Sequence, residues 1–189
     1  MKELQQKILE EGKVLSGDIL KVDSFVNHMI DPKLFMSMAD EFKKRFGNKK
    51  IDKVLTLEVS GIGVAFACGV KYDVPVLFAK KTVSKTLGDD CYKSQVYSYT
   101  KGKTYDIMIS KEFLKKGERV LIIDDFLANG KALEGLIDLC NQAEAEVQGI
   151  GIVIEKGFQP GGEKIRGEGY QLESLAIIDK FENGQVVFR

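Results

Sequence analysis

The feature that most constrains this chain is the segment 120–132. Four apolar residues, Val120 to Ile123, lead directly into two adjacent carboxylates, Asp124 and Asp125. A loop of small residues follows, and then a helix-compatible stretch over residues 131–143. A continuous apolar run is typical of a strand buried in a parallel sheet, and open α/β sheets bind ligands at the carboxyl ends of such strands. The segment therefore predicts a buried strand that presents two carboxylates at a ligand-binding edge.

The loop after the carboxylates has the size and composition of an anion-binding loop. Its small residues let backbone N–H groups approach a phosphate, and the N-terminus of the following helix adds the positive end of its dipole. The alternative is a buried strand followed by an ordinary turn, with Asp124 or Asp125 capping the helix. Because that alternative accounts for one carboxylate but not for two adjacent ones, anion binding is favoured.

A second strand–loop–helix unit precedes this one. Val54 to Leu57 predicts a strand, residues 58–63 a loop with glycines at 61 and 63, and the residues up to Gly69 a helix. Taken alone, the loop is better explained as a turn that needs glycine for its conformation. Parallel strands end at the same edge of a sheet, so the placement of this loop beside Asp124 and Asp125 favours anion binding.

The remaining pattern predicts an α/β fold, with a parallel β-sheet flanked by helices. Apolar stripes indicate one helix that Gly12 ends and another that runs from the Asp31–Pro32 cap to Gly47. Residues 74–78 and 149–155 predict further strands. Helices that alternate with strands in this order are typical of a sheet built from βαβ units.

Three segments do not follow the βαβ order. Residues 80–90 are polar, and a polar loop of that length inside a compact domain is usually functional. Residues 92–110 predict two extended segments around Lys101 and Gly102. The chain then ends in strand-like residues 172–178 and 186–188, which we expect to lie outside the parallel core.

The composition is that of a globular chain without a strong electrostatic preference. The 189 residues are 44% hydrophobic, and 28 Lys and Arg residues balance 28 Asp and Glu residues. Balanced charge gives no basic field for nucleic acid, so we expect no nucleic-acid partner. The opening residues are too polar for a signal peptide, no apolar run is long enough for a bilayer, and the three cysteines lack metal-ligand spacing. These observations predict a cytoplasmic protein with no membrane partner.

The segment Asp124-Asp125-Phe-Leu-Ala-Asn-Gly130, with its strand and helix, resembles the 5-phosphoribosyl-1-pyrophosphate (PRPP) binding motif of the type I phosphoribosyltransferase family. The resemblance implies that Asp124 and Asp125 are the catalytic pair and hold the ribose hydroxyls. It also implies a phosphate loop for the 5-phosphate, a pyrophosphate loop, and a lysine in a loop that closes over PRPP. The phosphate loop would consist of Ala128, Asn129, Gly130, Lys131 and Ala132. The pyrophosphate loop would consist of Val59, Ser60 and Gly61. The lysine of the closing loop would be Lys81.

The phosphate loop departs from the family pattern in its side chains. Many members have threonines there, whereas this chain has Ala128, Asn129, Lys131 and Ala132. Backbone N–H groups, with the Asn129 amide, must therefore supply the donors. The resemblance further implies Mg²⁺ as a cofactor, delivered mainly as the PRPP complex and without a dedicated protein site.

The resemblance covers essentially the whole chain and extends to a subgroup of bacterial enzymes whose acceptor base is xanthine. It implies four base-binding residues: Leu20, Asn27, Lys156 and Phe158. The lysine matches one that donates to the 6-oxo group of a purine, and an amide at position 27 suits the 2-oxo group of xanthine. Phe158 either stacks on the purine or packs within the protein, and these alternatives are equally favoured.

The resemblance also implies an architecture and a reaction. A core over residues 32–156 would carry a small hood made of residues 1–31 together with 157–189, and two chains would form a homodimer. The reaction is purine salvage: xanthine and PRPP give xanthosine 5-monophosphate and pyrophosphate. One alternative is another 6-oxopurine, guanine or hypoxanthine, as the acceptor. A less favoured alternative is a PRPP-sensing transcriptional regulator, because we find neither a helix-turn-helix nor a basic surface.

Overall fold

The computed structural model describes residues 1–16, 19–81, 90–98 and 102–189. The helices are α1 (Lys2–Glu11), a π-helical turn (Asp23–Asn27), α2 (Pro32–Phe46), α3 (Gly61–Tyr72), α4 (Lys131–Gln142) and α5 (Gly161–Gly167). The strands are β1 (Lys13–Leu15), β2 (Ile19–Lys21), β3 (Lys53–Leu57), β4 (Val76–Ala79), β5 (Cys91–Ser98), β6 (Lys103–Ser110), β7 (Arg119–Leu127), β8 (Glu146–Lys156), β9 (Leu172–Glu182) and β10 (Gln185–Phe188). The predicted caps of α2 are confirmed, since the Asp31 side chain accepts from the backbone of Lys33 and Leu34 and Gly47 follows with a φ of 64°.

The main sheet has six strands in the order β10-β9-β8-β7-β3-β4. All neighbouring pairs are parallel except β10 with β9 at the edge. The chain runs outward from the middle in both directions: β3 leads through α3 to β4, whereas β7 leads through α4 to β8. The order therefore reverses between β3 and β7, and such a reversal opens a ligand-binding crevice at the carboxyl ends of the strands. The predicted parallel core is confirmed.

Strand β7 is buried on both of its faces, which explains its continuous apolar run. Leu121 and Ile123 pack with α2 and α3 in one core cluster. Val120 and Ile122 point the other way and pack with α4 in the second cluster. The strand is thus held firmly from both sides just before the two carboxylates.

Strand β7 is longer than the sequence predicts. It continues past the carboxylates to Leu127, because β8 still pairs with it: Asp124 lies opposite Ile152, and Leu127 lies opposite Glu155. On its other side the pairing with β3 ends at Ile122. The two carboxylates therefore extend beyond the paired part of β3 while β8 keeps their backbone fixed.

The two extended segments predicted between residues 92 and 110 are the antiparallel pair β5–β6. Their hairpin lies outside the main sheet, and the backbones of Lys80 and Met108 exchange two hydrogen bonds of 3.0 Å that tie it to the end of β4. The central part of the predicted closing loop, with Lys85, lies outside the described residues, as does Lys101.

The end of the chain differs from the sequence prediction. Strand β9 pairs in parallel with β8 and so extends the main sheet rather than lying outside it. Leu4, Ile8 and Leu20 from the start of the chain pack in one core cluster with Ile178 and Val186 from its end. The same cluster contains residues of α2, α3 and β7, and the division into a core of 32–156 and a hood of 1–31 with 157–189 stays a proposal. In the described part of the chain, no helix is long and apolar enough to cross a membrane.

Candidate active site

Of the two acidic residues, Asp124 is buried and Asp125 is half-buried. Asp124 is 5% exposed, and its Oδ1 accepts a hydrogen bond of 3.1 Å from the backbone N–H of Asp125. Burial and then the neighbouring Asp125 carboxylate raise the pKa of Asp124 well above its usual range. Burial also raises the pKa of Asp125, against hydrogen bonds that lower it. Keeping both carboxyl groups ionised in this environment costs free energy. The site therefore favours a ligand that brings hydroxyl donors or positive charge.

The pyrophosphate loop, residues 59–61, lies directly against the acidic pair. A Cβ atom added to Gly61 would come within 2.7 Å of Asp124 Oδ1 and 2.2 Å of Thr56 Oγ1. No side chain fits in that space, so glycine is required for the close approach. The structure thus brings together the loop 59–61 and Asp124, which the sequence placed at one edge of the sheet.

The backbone of the pyrophosphate loop offers donors to an anion. Ser60 is the N-cap of α3, and no side chain in the described ranges caps this helix. Val59 is 74% exposed, and the peptide bond that precedes it is cis. Uncapped N–H groups at the start of a 12-residue helix, with its dipole behind them, suit a negatively charged group.

The phosphate loop, residues 128–132, has the same character at the start of α4. Gly130 adopts the left-handed conformation, with a φ of 83°, and none of the described side chains caps the helix. The loop lines a cavity of about 200 Å³ together with Tyr97 and Tyr105. The ammonium of Lys131 contacts Glu134 at 2.8 Å, and Glu134 also accepts from Lys164 of α5 at 2.6 Å. These ion pairs connect the start of α4 to α5, and the backbone N–H groups of the loop remain available to bind an anion.

Lys81 and Tyr105 also belong to this site. The backbone N–H of Lys81 donates to the Glu58 carboxylate at 2.5 Å, and its ammonium lies 5.5 Å from the centre of the Tyr105 ring. The charge of Lys81 acts to lower the pKa of both Asp124 and Asp125, although burial outweighs it. Burial and then Asp124 raise the pKa of Tyr105. Sequence reasoning missed Tyr105, because an extended segment without a motif shows nothing of its tertiary neighbours.

Of the four predicted base-binding residues, one lines the cavity beside the pyrophosphate loop and three lie elsewhere. Asn27 lines a cavity of about 590 Å³ together with Val59 and Ser60 of the pyrophosphate loop. Leu20, Lys156 and Phe158 do not line that cavity. Leu20 lies in the core, and Phe158 is 39% exposed and packs edge-on against Phe181 with 5.6 Å between ring centres. Lys156 is half-buried at the end of β8. The roles of all four stay predictions.

Gly161, at the start of α5, packs against the backbone of the phosphate loop. Its role was not identified from the sequence. Its backbone N–H donates to the carbonyl oxygen of Ala128 at 3.0 Å. A Cβ atom at this position would lie 2.4 Å from that oxygen and 2.6 Å from the backbone nitrogen of Gly130. Because both neighbours are backbone atoms, the loop itself would have to move to admit a side chain.

The family model described as the phosphoribosyl transferase domain matches residues 30–164. The chain belongs to this family. It is 59% identical over 188 residues to the xanthine phosphoribosyltransferase of Finegoldia magna, with 100% of this chain and 99% of that protein covered. It is 52% identical over 190 residues to the xanthine phosphoribosyltransferase of Clostridioides difficile, with both chains covered completely.

Solved structures of the family show the same fold. The adenine phosphoribosyltransferase of Rhodothermus marinus superposes with a TM-score of 0.77 at 18% identity, covering 94% of this chain and 100% of that one. The enzyme of the same name from Saccharomyces cerevisiae gives a TM-score of 0.73 at 21% identity, with coverages of 93% and 99%. The α/β architecture expected from the resemblance is therefore confirmed as that of a type I phosphoribosyltransferase.

Replacing Gly161 with alanine tests whether α5 sets the shape of the phosphate loop. We expect Gly161→Ala to lower kcat/KM for PRPP by about a hundredfold, since a displacement of roughly 1 Å can have that effect. Gly167→Ala is the matched control, because a Cβ there meets nothing within 4 Å. Steady-state kinetics with PRPP as the varied substrate measure the effect. Equal kinetics for the two variants would show that the contact with Ala128 and Gly130 is unimportant.

Proposed function

We propose that this phosphoribosyltransferase carries out purine salvage by converting xanthine and PRPP to xanthosine 5-monophosphate and pyrophosphate. The observation that carries the proposal is the contact of Gly61 with Asp124, which places the loop 59–61 against the carboxylate that leads into the loop 128–132, where the strand order reverses. PRPP needs all three features, since it has a phosphate at one end, a pyrophosphate at the other and two hydroxyls between them. The full-length similarity to proteins named xanthine phosphoribosyltransferase supports xanthine as the base.

In this mechanism Asp124 and Asp125 fix the ribose. Their carboxylates accept hydrogen bonds from the two ribose hydroxyls and stabilise the positive charge that develops at C1 of the ribose. There the bond to the pyrophosphate oxygen breaks as a bond to a ring nitrogen of xanthine forms. The xanthine proton leaves to solvent or to an unassigned group, and none of the named side chains has to act as a general base. Preorganised carboxylates in a site of low polarity are effective at this kind of stabilisation.

The two loops hold the phosphate groups at either end. The residues of the phosphate loop, Ala128, Asn129, Gly130, Lys131 and Ala132, bind the 5-phosphate mainly through backbone N–H groups. The pyrophosphate loop, Val59, Ser60 and Gly61, binds the leaving group through its backbone. Lys81, already beside the acidic pair, adds positive charge as pyrophosphate departs and helps a closing loop to exclude water.

Mg²⁺ is the proposed cofactor and fits the available donors. Among the residues that the structure describes, no three His, Cys, Asp or Glu side chains are grouped to hold a metal. The pair Asp124 and Asp125 suits an ion that keeps several waters and is held mainly by substrate phosphates, as Mg²⁺ prefers. When bound, Mg²⁺ supplies neutralisation of the pyrophosphate charge.

The base is proposed to lie between the pyrophosphate loop and the terminal segments. Asn27, beside Val59 and Ser60, would face the 2-oxo group of xanthine, and Lys156 would donate to its 6-oxo group. Leu20 and Phe158 would complete the site, the latter by stacking or by packing. A polar pocket of this kind discriminates against a base that leaves its groups unpaired.

Guanine and hypoxanthine also carry the 6-oxo group, so they remain the alternative acceptor bases. The regulator alternative has no support, and the two full-length relatives described above are named as enzymes. We also propose a cytoplasmic homodimer. Ile30 and Phe66 are 51% and 64% exposed, and a second copy would cover these large apolar side chains.

Asp125→Asn tests the role of the acidic pair. We expect turnover to fall about a hundredfold, which corresponds to roughly 3 kcal/mol of lost transition-state stabilisation. Because burial raises the pKa of Asp125, the charged form weakens the fold as pH rises through that pKa, so the unfolding temperature at pH 7 should be unchanged or higher. Asp179→Asn, an exposed carboxylate on β9, is the control for both measurements. Near-normal turnover of a folded Asp125→Asn enzyme would refute the assignment.

Base choice should depend on Lys156 and Asn27 in different ways. Lys156→Ala is expected to lower kcat/KM for xanthine, guanine and hypoxanthine alike, because all three carry the 6-oxo group. Asn27→Ala should act mainly on xanthine and so reduce its preference over hypoxanthine. A lost hydrogen bond to a desolvated group is worth about 1–3 kcal/mol, which changes a specificity ratio measurably. The comparison is the xanthine-to-hypoxanthine ratio of kcat/KM in the three proteins, and an unchanged ratio in Asn27→Ala would contradict the assignment.

A further inference from the structure

Thr56 on β3 carries a hydroxyl that the fold does not use. Its side chain is 0% exposed, and Oγ1 has no hydrogen-bond partner among the residues that the structure describes. Every residue of β3 is buried. A valine at position 56 would have the same shape and would not bury a hydroxyl without a partner. A buried hydroxyl without a partner destabilises a fold, and one that is retained calls for an explanation outside folding.

The unused hydroxyl lies beside the acidic pair. Both Thr56 Oγ1 and Asp124 Oδ1 come within 3 Å of the same point, the position that a Cβ on Gly61 would occupy. The hydroxyl is a donor, and the carboxylate can accept more hydrogen bonds than the one from Asp125 N–H. The donor and the acceptor therefore border the same small space.

We propose that Thr56 is a positioning residue: when PRPP is bound, its hydroxyl donates to the Asp124 carboxylate and holds that carboxylate toward the ribose. This inference rests on the proposed function. The hydroxyl is a donor that borders the same space as the Asp124 carboxylate, and the hydrogen bond would give the buried Thr56 side chain a partner.

The test compares variants that separate the hydroxyl from the shape of the side chain. Thr56→Val removes the hydroxyl and keeps the volume, so we expect unfolding stability to be retained or increased while kcat falls about tenfold. Thr56→Ser keeps the hydroxyl and should restore kcat to within about twofold of wild type. Tyr72→Phe is the matched control, because Tyr72 carries another buried hydroxyl without a partner among the described residues, at the far end of α3. It should also retain stability, with kcat unchanged.

Each outcome decides the inference. If Thr56→Val keeps wild-type kcat, or if a folded Thr56→Ser loses as much activity as Thr56→Val, the hydroxyl has no positioning role. If Thr56→Val fails to fold, Thr56→Ser and Thr56→Ala form the deciding pair, and only a loss of kcat specific to alanine supports the inference. Failure of the proposed function is distinct, since wild type itself would then form no nucleotide from xanthine and PRPP.

Discussion

The active site depends on the close approach of the Gly61 backbone to the Asp124 side chain across the neighbouring strands β3 and β7. This contact sets the distance between the loop that would bind pyrophosphate and the carboxylates that would bind ribose. It exists only because glycine leaves the space open, since any side chain at position 61 would collide with Thr56 and Asp124. The reversal of strand order puts these two strands side by side, so the spacing of the reacting groups is built into the sheet.

Placing two adjacent carboxylates where one is buried and the other half-buried opposes folding, and the surrounding structure offsets that cost. Strand β7 is packed on both faces by two apolar clusters and remains paired with β8 past Asp125. Burial raises the pKa of both Asp124 and Asp125, so keeping the two carboxylates ionised there costs free energy. Carboxylates that this packed and paired strand holds in place are preorganised for a ligand that brings hydroxyl donors.

The sequence predicted those parts of the site that local patterns encode. The apolar run before Asp124 and the glycines at 61 and 130 mark strands and tight turns, and periodicity identified the parallel core. Tyr105, Gly161 and Thr56 were missed because their importance comes from tertiary neighbours, and nothing within a few residues of them indicates those neighbours. The extension of β7 to Leu127 and the inclusion of β9 in the sheet were missed for the same reason: both follow from pairing with β8.

The most direct test of the proposed activity is a steady-state comparison of xanthine, guanine, hypoxanthine and adenine as acceptors, with PRPP and Mg²⁺ saturating. Xanthine should give the highest kcat/KM. Guanine and hypoxanthine should be poorer, because they lack the 2-oxo group that Asn27 would recognise. Adenine should be the poorest, because its 6-amino group is a donor facing the donor Lys156. A preference for adenine, or the absence of nucleotide formation from any 6-oxopurine, would contradict the account.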